Sequence, residues 1–87
     1  VDRDTEQQIT ATILATPGVA ALHDLKTRRA GDFILVDVHI EVPGNLSVAQ
    51  GHDIALTARS RVLNSHNVMH MMIHIDPCRA EIAAMNT

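Results

Sequence analysis

Aromatic side chains and positive charge are what this 87-residue sequence has least of. Phe33 is its one aromatic residue, and the formal net charge is -3 with histidine counted as neutral. Proteins that bind single-stranded nucleic acids stack the bases on aromatic side chains, and a phosphate-binding surface needs an excess of Lys and Arg. The composition therefore argues against a nucleic-acid partner.

Cysteine and long apolar segments are also scarce. Cys78 is the single cysteine, so the sequence offers no internal disulfide. Its apolar runs are much shorter than the roughly 20 residues that a membrane-spanning helix needs. We therefore expect residues 1–87 to form one small domain that does not itself insert into a membrane. A core of this size usually needs reinforcement by a metal ion or by oligomerisation.

Histidine, in contrast, is abundant. The six histidines are spread along the chain rather than gathered in one segment: His23, His39, His52, His66, His70 and His74. Histidines this far apart can meet only through folding, so their positions in the predicted elements decide whether they form a site. Taken singly, each is more often an ordinary surface residue than a ligand.

Apolar periodicity predicts a first helix over residues 4–16. Thr5 or Asp4 is the expected N-cap, because either side chain can accept a hydrogen bond from the first turn. Ile9 and Ile13, four positions apart, form the expected buried face. The Pro-Gly pair that follows ends this helix.

A second helix is predicted to begin at its N-cap, Ser47, and to run to about Leu63. Because it connects two predicted strands, this helix must cross over the sheet. The residues expected on its buried stripe recur every three or four positions: Val48, Gly51, Ile54, Ala55, Ala58 and Val62.

Three segments rich in apolar and β-branched residues are predicted to be strands, at residues 19–29, 33–42 and 68–75. The turn around Gly31 joins the first two as an antiparallel hairpin, and the crossover helix makes the last two parallel. The expected fold class is α+β, an α-β-β-α-β chain with a ferredoxin-like or metallochaperone-like three-stranded mixed sheet and both helices on one face. The tail from Arg79 is compatible with a short helix or with disorder.

Side chains alternate between the two faces of a strand, which assigns each residue of the later two strands to a face. The faces expected to meet the helices hold Ile34, Val36, Val38, Ile40 and Val42, then Met69, Met71, Ile73 and Ile75. The opposite faces hold Phe33, Leu35, Asp37, His39 and Glu41, then Val68, His70, Met72, His74 and Asp76.

Three histidines and an aspartate are therefore expected on the sheet face away from the helices: His39, His70, His74 and Asp76. His23, on the neighbouring first strand, can join them. Adjacent strands lie about 4.8 Å apart, so imidazoles on neighbouring strands can share one metal ion. A solvated face that binds nothing is the alternative, and the pattern by itself leaves both open.

Four segments of the chain resemble, in the same order, segments of the cation diffusion facilitators of the zinc and ferrous-iron efflux type. They are His23-Asp24-Leu25-Lys26-Thr27-Arg28, Val38-His39-Ile40-Glu41-Val42, His52-Asp53-Ile54-Ala55 and Ile73-His74-Ile75-Asp76-Pro77-Cys78. Four separated motifs in register are much more specific than any one of them. The chain is thus similar to the C-terminal cytosolic domain of that family over nearly its whole length.

The resemblance implies a regulatory domain at the cytoplasmic face of a membrane. It would be attached to a transmembrane domain, absent from this sequence, that exports divalent metal ions in exchange for protons. The resemblance also implies a homodimer that binds metal at its interface, closes and thereby activates transport. Carried over position by position, the metal ligands are His23, His39, His52, His74 and Asp76.

His52 and Ile75 stand apart from the other matched positions. The resemblance implies that His52 is supplied by the other subunit of the dimer. Ile75 stands where the family has Gln, so any side-chain contribution to the metal is lost there. The expected ion is a divalent metal, Zn²⁺ first, with Fe²⁺, Mn²⁺, Co²⁺, Ni²⁺ or Cd²⁺ as alternatives. Imidazole and carboxylate ligands do not fix the metal, and raw affinity order would favour copper over all of these ions.

Three other functions are alternatives, and the sequence argues against the last of them. A purely structural dimerisation domain would carry its histidines incidentally. A freestanding metallochaperone with this fold usually transfers metal through paired cysteines, and only Cys78 is present. An enzyme such as a small metal-dependent hydrolase is not expected, because it needs a pocket and an open sheet face provides little of one.

Overall fold

The computed structural model describes residues 1–78, so the tail from Arg79 lies outside the described residues. The elements are α1 (Arg3–Leu14), β1 (Ala21–Ala30), β2 (Phe33–Val42), α2 (Val48–Ser65) and β3 (Val68–Pro77). The predicted α-β-β-α-β order and α+β class are confirmed. Neither helix within residues 1–78 has the length and apolar character needed to cross a membrane.

The three strands form one mixed sheet in the order β1-β2-β3. β1 pairs with β2 antiparallel through a tight turn, and β2 pairs with β3 parallel through the α2 crossover. The core contains Ile9 and Ile13 of α1 together with Ala55, Ala58 and Val62 of α2. We call the side of the sheet that the helices cover the helix face, and the other side the open face.

β2 alternates strictly between these two faces, as its sequence predicted. Its even-numbered residues from Ile34 to Val42 are at most 5 % exposed and belong to the core. The odd-numbered residues lie on the open face and remain partly accessible. Because β2 is the central strand, its bounds and its faces are fixed by pairing on both sides.

The predicted N-cap is confirmed for α2 and is wrong for α1. Ser47 caps α2 in a capping box, in which the Gln50 N–H donates to Ser47 Oγ and the Ser47 N–H donates to Gln50 Oε1. The α1 cap is Asp2 rather than the predicted Thr5 or Asp4, because the Asp2 carboxylate accepts the Thr5 N–H at 2.7 Å. That backbone hydrogen bond lowers the pKa of the Asp2 carboxyl below its usual value.

α1 also ends earlier than predicted. The helix stops at Leu14, and Thr16 is buried in the turn that follows, where its hydroxyl donates to the Thr12 carbonyl. β1 likewise begins at Ala21 rather than at residue 19. Both differences lie at element ends, where the connecting turn competes with the regular hydrogen bonds.

The prediction that Val48 belongs to the buried stripe of α2 is wrong. Val48 is 91 % exposed, whereas the buried stripe begins at Gly51, one turn later. Gly51 lies against the side chain of Ile75 on β3. Val48 therefore stays in solvent, and a periodic pattern alone does not reveal where a helix loses contact with its neighbour.

Strict alternation also fails at the start of β3. Ile34 pairs with Val68, but the next residue of β2 pairs with His70, so Met69 is an extra residue in the ladder. Val68 is consequently buried and Met69 is 53 % exposed, the reverse of the prediction. After this bulge Met71 is buried, as predicted, whereas the prediction that Ile75 belongs to the core is wrong, because Ile75 is 39 % exposed.

Two methionine substitutions test this placement. Met71→Ala should lower the free energy of unfolding by about 2–5 kcal/mol, because it leaves a cavity in the core. Met69→Ala should change it by no more than about 0.5 kcal/mol, because its side chain is largely solvated. Urea denaturation of both variants measures the difference, and equal losses would mean that Met69 is in the core after all.

Candidate metal centre

Three imidazoles lie side by side across the open face. His23 pairs with His39 across β1 and β2, and His39 pairs with His74 across β2 and β3. The rings are stacked, with centroids 5.0 Å apart for the first pair and 4.5 Å apart for the second. We call these three residues the histidine row. The next row along the strands holds Glu41 and Asp76.

A β-bulge in β1 brings His23 onto the open face. The pairing shifts between His23 and Lys26, so Asp24 and Leu25 together oppose one residue of β2. Asp24 has a φ of 52°, in the left-handed region that aspartate tolerates better than most residues. The extra residue reverses the phase of the strand beyond it.

The phase reversal lets β1 make specific contacts on both faces of the sheet. Thr27 points to the helix face, where its hydroxyl donates to Glu6 of α1 at 2.6 Å. Under strict alternation His23 and Thr27, four residues apart, would share a face. With the bulge between them, Thr27 anchors the strand to α1 while His23 remains beside His39.

Three donor atoms converge beside the histidine row. His39 Nδ1 lies 3.0 Å and His23 Nε2 lies 3.6 Å from Asp76 Oδ2. One ligand atom from each of these residues lies within 4.8 Å of the others. We call His23, His39 and Asp76 the three-donor group. Two imidazole nitrogens and a carboxylate oxygen match the ligand types of zinc and its first-row neighbours.

Glu41 extends this group, although it was not among the predicted ligands. Its Oε2 lies 3.3 Å from His23 Nδ1, so the two nitrogens of His23 contact two different carboxylates. Glu41 stands two residues after His39 on the same face, which is the signal that could have identified it.

His74 points to a different partner. Its Nε2 lies 3.2 Å from Asp37 Oδ1, so the carboxylate it contacts is not Asp76. His74 therefore belongs to the histidine row without being part of the three-donor group. Asp37 was predicted to lie on this face but not to be a ligand, because side-chain orientation decides which carboxylate the imidazole contacts.

His52 is not brought to the row within one chain. It lies on the exposed surface of α2, and the helices cover the opposite side of the sheet. Its neighbours four positions before and after it are apolar and exposed: Val48 is 91 % and Leu56 is 48 % exposed. Val48, His52 and Leu56 thus form an exposed stripe on α2.

The remaining two histidines lie apart from the row. His66 caps the C-terminus of α2, and its Nε2 lies 2.9 Å from the Thr12 hydroxyl of α1. It therefore ties the two helices together. His70 lies exposed on the open face beside Leu35, two rows from His39.

The domain model for the cytoplasmic domain of cation efflux proteins matches residues 1–78. The cation-efflux pump FieF of Shewanella oneidensis is 38 % identical over 81 residues, which cover 93 % of this chain and 27 % of that protein. Metal tolerance protein 2 of Oryza sativa subsp. japonica is 46 % identical over 76 residues, covering 86 % of this chain and 20 % of that protein. The chain spans about a quarter of the length of these relatives.

Solved structures with the same fold include variants of the MamM CTD. One superposes with a TM-score of 0.84 at 21 % identity and covers 87 % of this chain and 96 % of that one. A nickel form superposes with a TM-score of 0.86 at 20 % identity and covers 90 % of this chain and all of that one. At these identities the likeness establishes the ferredoxin-like fold.

The bulge at Asp24 can be tested by substitution. Asp24→Ile should lower the free energy of unfolding by about 1–2 kcal/mol, because a β-branched residue fits the left-handed region poorly. Asp24→Gly should not show this loss, since glycine adopts positive φ freely. Lys26→Ile, on the same strand beyond the bulge, is the matched control. A loss for Lys26→Ile as large as that for Asp24→Ile, measured by urea denaturation, would contradict the bulge.

Proposed function

The chain belongs to the cation efflux protein family, as its cytoplasmic domain, and we propose that it is the metal-sensing regulatory domain of a divalent-metal exporter. In this proposal residues 1–87 are one cytosolic domain, and the parent protein is a membrane transporter with its own transmembrane domain. The observation that carries the proposal is the three-donor group, whose ligand atoms lie within 4.8 Å of one another.

The proposed ligands fall into two groups. His23, His39 and Asp76 hold one ion, and Glu41 is close enough to His23 to orient it. His74, paired with Asp37, offers a second position beside the first because its ring stacks on His39.

Zinc is the ion that we propose first. Its preferred ligands are imidazole nitrogen, carboxylate oxygen and thiolate, and the three-donor group supplies the first two. Fe²⁺, Mn²⁺, Co²⁺, Ni²⁺ and Cd²⁺ accept the same ligands, so the donor types alone do not select among them. Nickel and cadmium forms of the MamM CTD support a divalent ion in this fold.

We propose that the domain works as a homodimer in which His52 of one copy completes the site of the other. The exposed stripe of α2 supports this, because Val48 and Leu56 flank His52 and gain by being buried in a partner. The open face supports it as well. Asp37, Glu41 and Asp76 lie around the histidine row, and a divalent ion shared between two copies would compensate the negative charge of these three carboxylates.

Regulation then follows from linkage. An ion that binds both copies at once favours the closed dimer over more open arrangements. The shift is limited by how much more tightly the closed form binds the ion. Closure would draw together the membrane segments attached to the two copies, and so favour one conformation of the transporter, which we propose exchanges metal for protons.

A structural dimerisation domain is the second candidate. It is favoured by the observation that His23, His39 and His74 each contact a carboxylate of the same chain, which gives these histidines structural contacts. The two functions differ in whether a divalent ion binds at micromolar concentration, so calorimetric titration of the chain with ZnCl₂ separates them.

The ligand assignment predicts unequal effects of two histidine substitutions. His39→Ala should weaken zinc binding by at least about tenfold, because changes even beyond the direct ligands cost tenfold or more. His70→Ala, on the same face but two rows away, is the matched control and should leave zinc affinity unchanged. Equal losses in calorimetric titration would show that the three-donor group does not hold the ion.

The dimer proposal predicts a zinc-dependent change in mass. Sedimentation equilibrium should show a larger dimer fraction with zinc than with chelator. His52→Ala should reduce the zinc-dependent part, because it removes the ligand offered to the partner, whereas His70→Ala should not. A chain that stays monomeric at every accessible concentration, with and without zinc, would refute the dimer.

Zinc affinity should also depend on pH. Imidazole binds metal only when neutral, so protons compete with zinc between roughly pH 7.5 and 5.5. The metal-bound form carries fewer protons, so raising the pH favours it and lowering the pH releases the ion. Titrations at about pH 7.5 and pH 5.5 measure the effect. An affinity that is equal at both would mean that carboxylates alone hold the ion.

A further inference from the structure

A groove on the open face lies between the histidine row and the turn that joins β1 to β2. It has a volume of about 420 Å³, and its lining includes Lys26, Arg28, Leu35, Asp37, His70 and Met72. The strand register arranges these side chains in rows across the sheet. Arg28, Leu35 and His70 form one row, and Lys26, Asp37 and Met72 form the next. No residue of the three-donor group lines the groove, so it is a separate feature of this face.

Two cationic side chains stand along one side of this groove. Lys26 and Arg28 are two positions apart on β1, beyond the bulge, and both lie exposed on the open face. Among residues 1–78 every ion pair has a histidine as its positive partner, so neither Lys26 nor Arg28 contacts a carboxylate there. Two unpaired cations that face one cavity, in a chain whose formal net charge is -3, favour an anionic ligand.

The carboxylate in the lining is engaged outside the groove. Asp37 Oδ1 lies 3.2 Å from His74 Nε2, which directs this carboxylate toward the histidine row. Lys26 stands opposite Asp37 in the strand register, yet the two do not form an ion pair. Lys26 and Arg28 together outweigh the negative charge of Asp37, so the groove keeps an excess of positive charge.

His70 faces the two cations from the other edge of the sheet. It lies in the same row as Arg28, with Leu35 between them, so their backbones are roughly 10 Å apart, or two strand spacings. A group bound above Leu35 is therefore within reach of donors from both sides. Arg28 offers a guanidinium fork, Lys26 an ammonium group and His70 a ring N–H.

These donors match a phosphate group better than a carboxylate. A phosphate monoester has three terminal oxygens, one for each donor group, whereas a carboxylate has two. Arg binds phosphate in a bidentate way and Lys binds it as a point charge, so the pair on β1 suits such an anion. Leu35 and Met72, which is 51 % exposed, give the groove an apolar floor for the carbon chain of an ester. We propose that the groove binds a phosphate monoester that carries an aliphatic group.

Phosphate binding in this groove does not depend on the zinc site, because none of the three donors is a proposed metal ligand. The ester can be a soluble molecule or the headgroup of a membrane lipid such as phosphatidic acid, since both present the same chemistry. One phosphate needs only a local excess of positive charge, whereas a nucleic acid needs cations along many phosphates. The low content of Lys and Arg in the whole chain is therefore consistent with the site.

Three probes test the site: inorganic phosphate, n-butyl phosphate, and phosphatidylcholine vesicles with or without phosphatidic acid. A chelator keeps divalent ions out of every sample. Arg28→Gln removes one positive charge from the groove. Arg29→Gln is the matched control, because it removes the same charge from the next residue, which pairs with Ile34 and lies on the helix face near Asp2. Binding of the soluble probes is measured from the backbone amide shifts of Leu35 and His70, and vesicle binding by cosedimentation.

We expect n-butyl phosphate to bind more tightly than inorganic phosphate, because only the ester contacts the apolar floor. Arg28→Gln should weaken binding of the ester at least about tenfold, since it removes a charge-assisted hydrogen bond, whereas Arg29→Gln should leave the affinity unchanged. Binding only to vesicles that contain phosphatidic acid, and its loss in Arg28→Gln, would assign the ligand as a lipid headgroup. His39→Ala should bind the ester as the parent does, which separates this site from the zinc site.

The proposal is overturned if none of the three probes binds, or if inorganic phosphate binds as tightly as the ester. It is also overturned if Arg28→Gln binds as the parent does, or if Arg29→Gln loses as much affinity as Arg28→Gln.

Discussion

The strict alternation of β2 is the constraint on which the rest of the structure depends. Val38 and Ile40 are fully buried against the helices, and His39 lies between them on the open face. A slip of one residue would exchange these faces and place Asp37, His39 and Glu41 in the core. Burying charged groups without partners costs far more than the apolar contacts could return. The register of β2 therefore admits one solution, and β1 and β3 must fit it.

Both neighbouring strands fit by inserting a residue. In β1 the bulge at Asp24 allows His23 to face outward while Thr27 contacts α1. In β3 the bulge at Met69 allows Val68 and Met71 to enter the core although they are three residues apart. Edge strands tolerate such insertions because only one of their sides is paired. The site thus rests on a regular central strand with two edge strands whose phase is corrected locally.

These differences explain how much the sequence could predict. The bounds and faces of β2 were predictable because a strictly alternating pattern fits only one assignment of residues to the two faces. The Ser47 cap was predictable because a capping box depends only on residues close in sequence. The bulges were harder to predict. Leu22 and Leu25, three residues apart, both pack against the core, which is a signal for the first one. In β3 nearly every residue is apolar or histidine, so the sequence does not reveal which position is inserted.

The candidate site was predictable where it depends on the backbone, and was not predictable where it depends on side-chain rotation. Alternation placed His39, His74 and Asp76 on one face, because that depends only on backbone geometry. Which carboxylate each imidazole contacts depends on side-chain rotation. For this reason the contacts of Glu41 with His23 and of Asp37 with His74 were not predicted. Stacked imidazoles as close as 4.5 Å would repel one another if several were charged, and the neighbouring carboxylates offset that repulsion. A divalent ion brings positive charge to the neighbouring carboxylates, and it also fixes the directions of its ligands. Because the ion can accept a further ligand from a second copy, the binding of metal to this face is, in the proposed mechanism, the step that couples ion concentration to assembly.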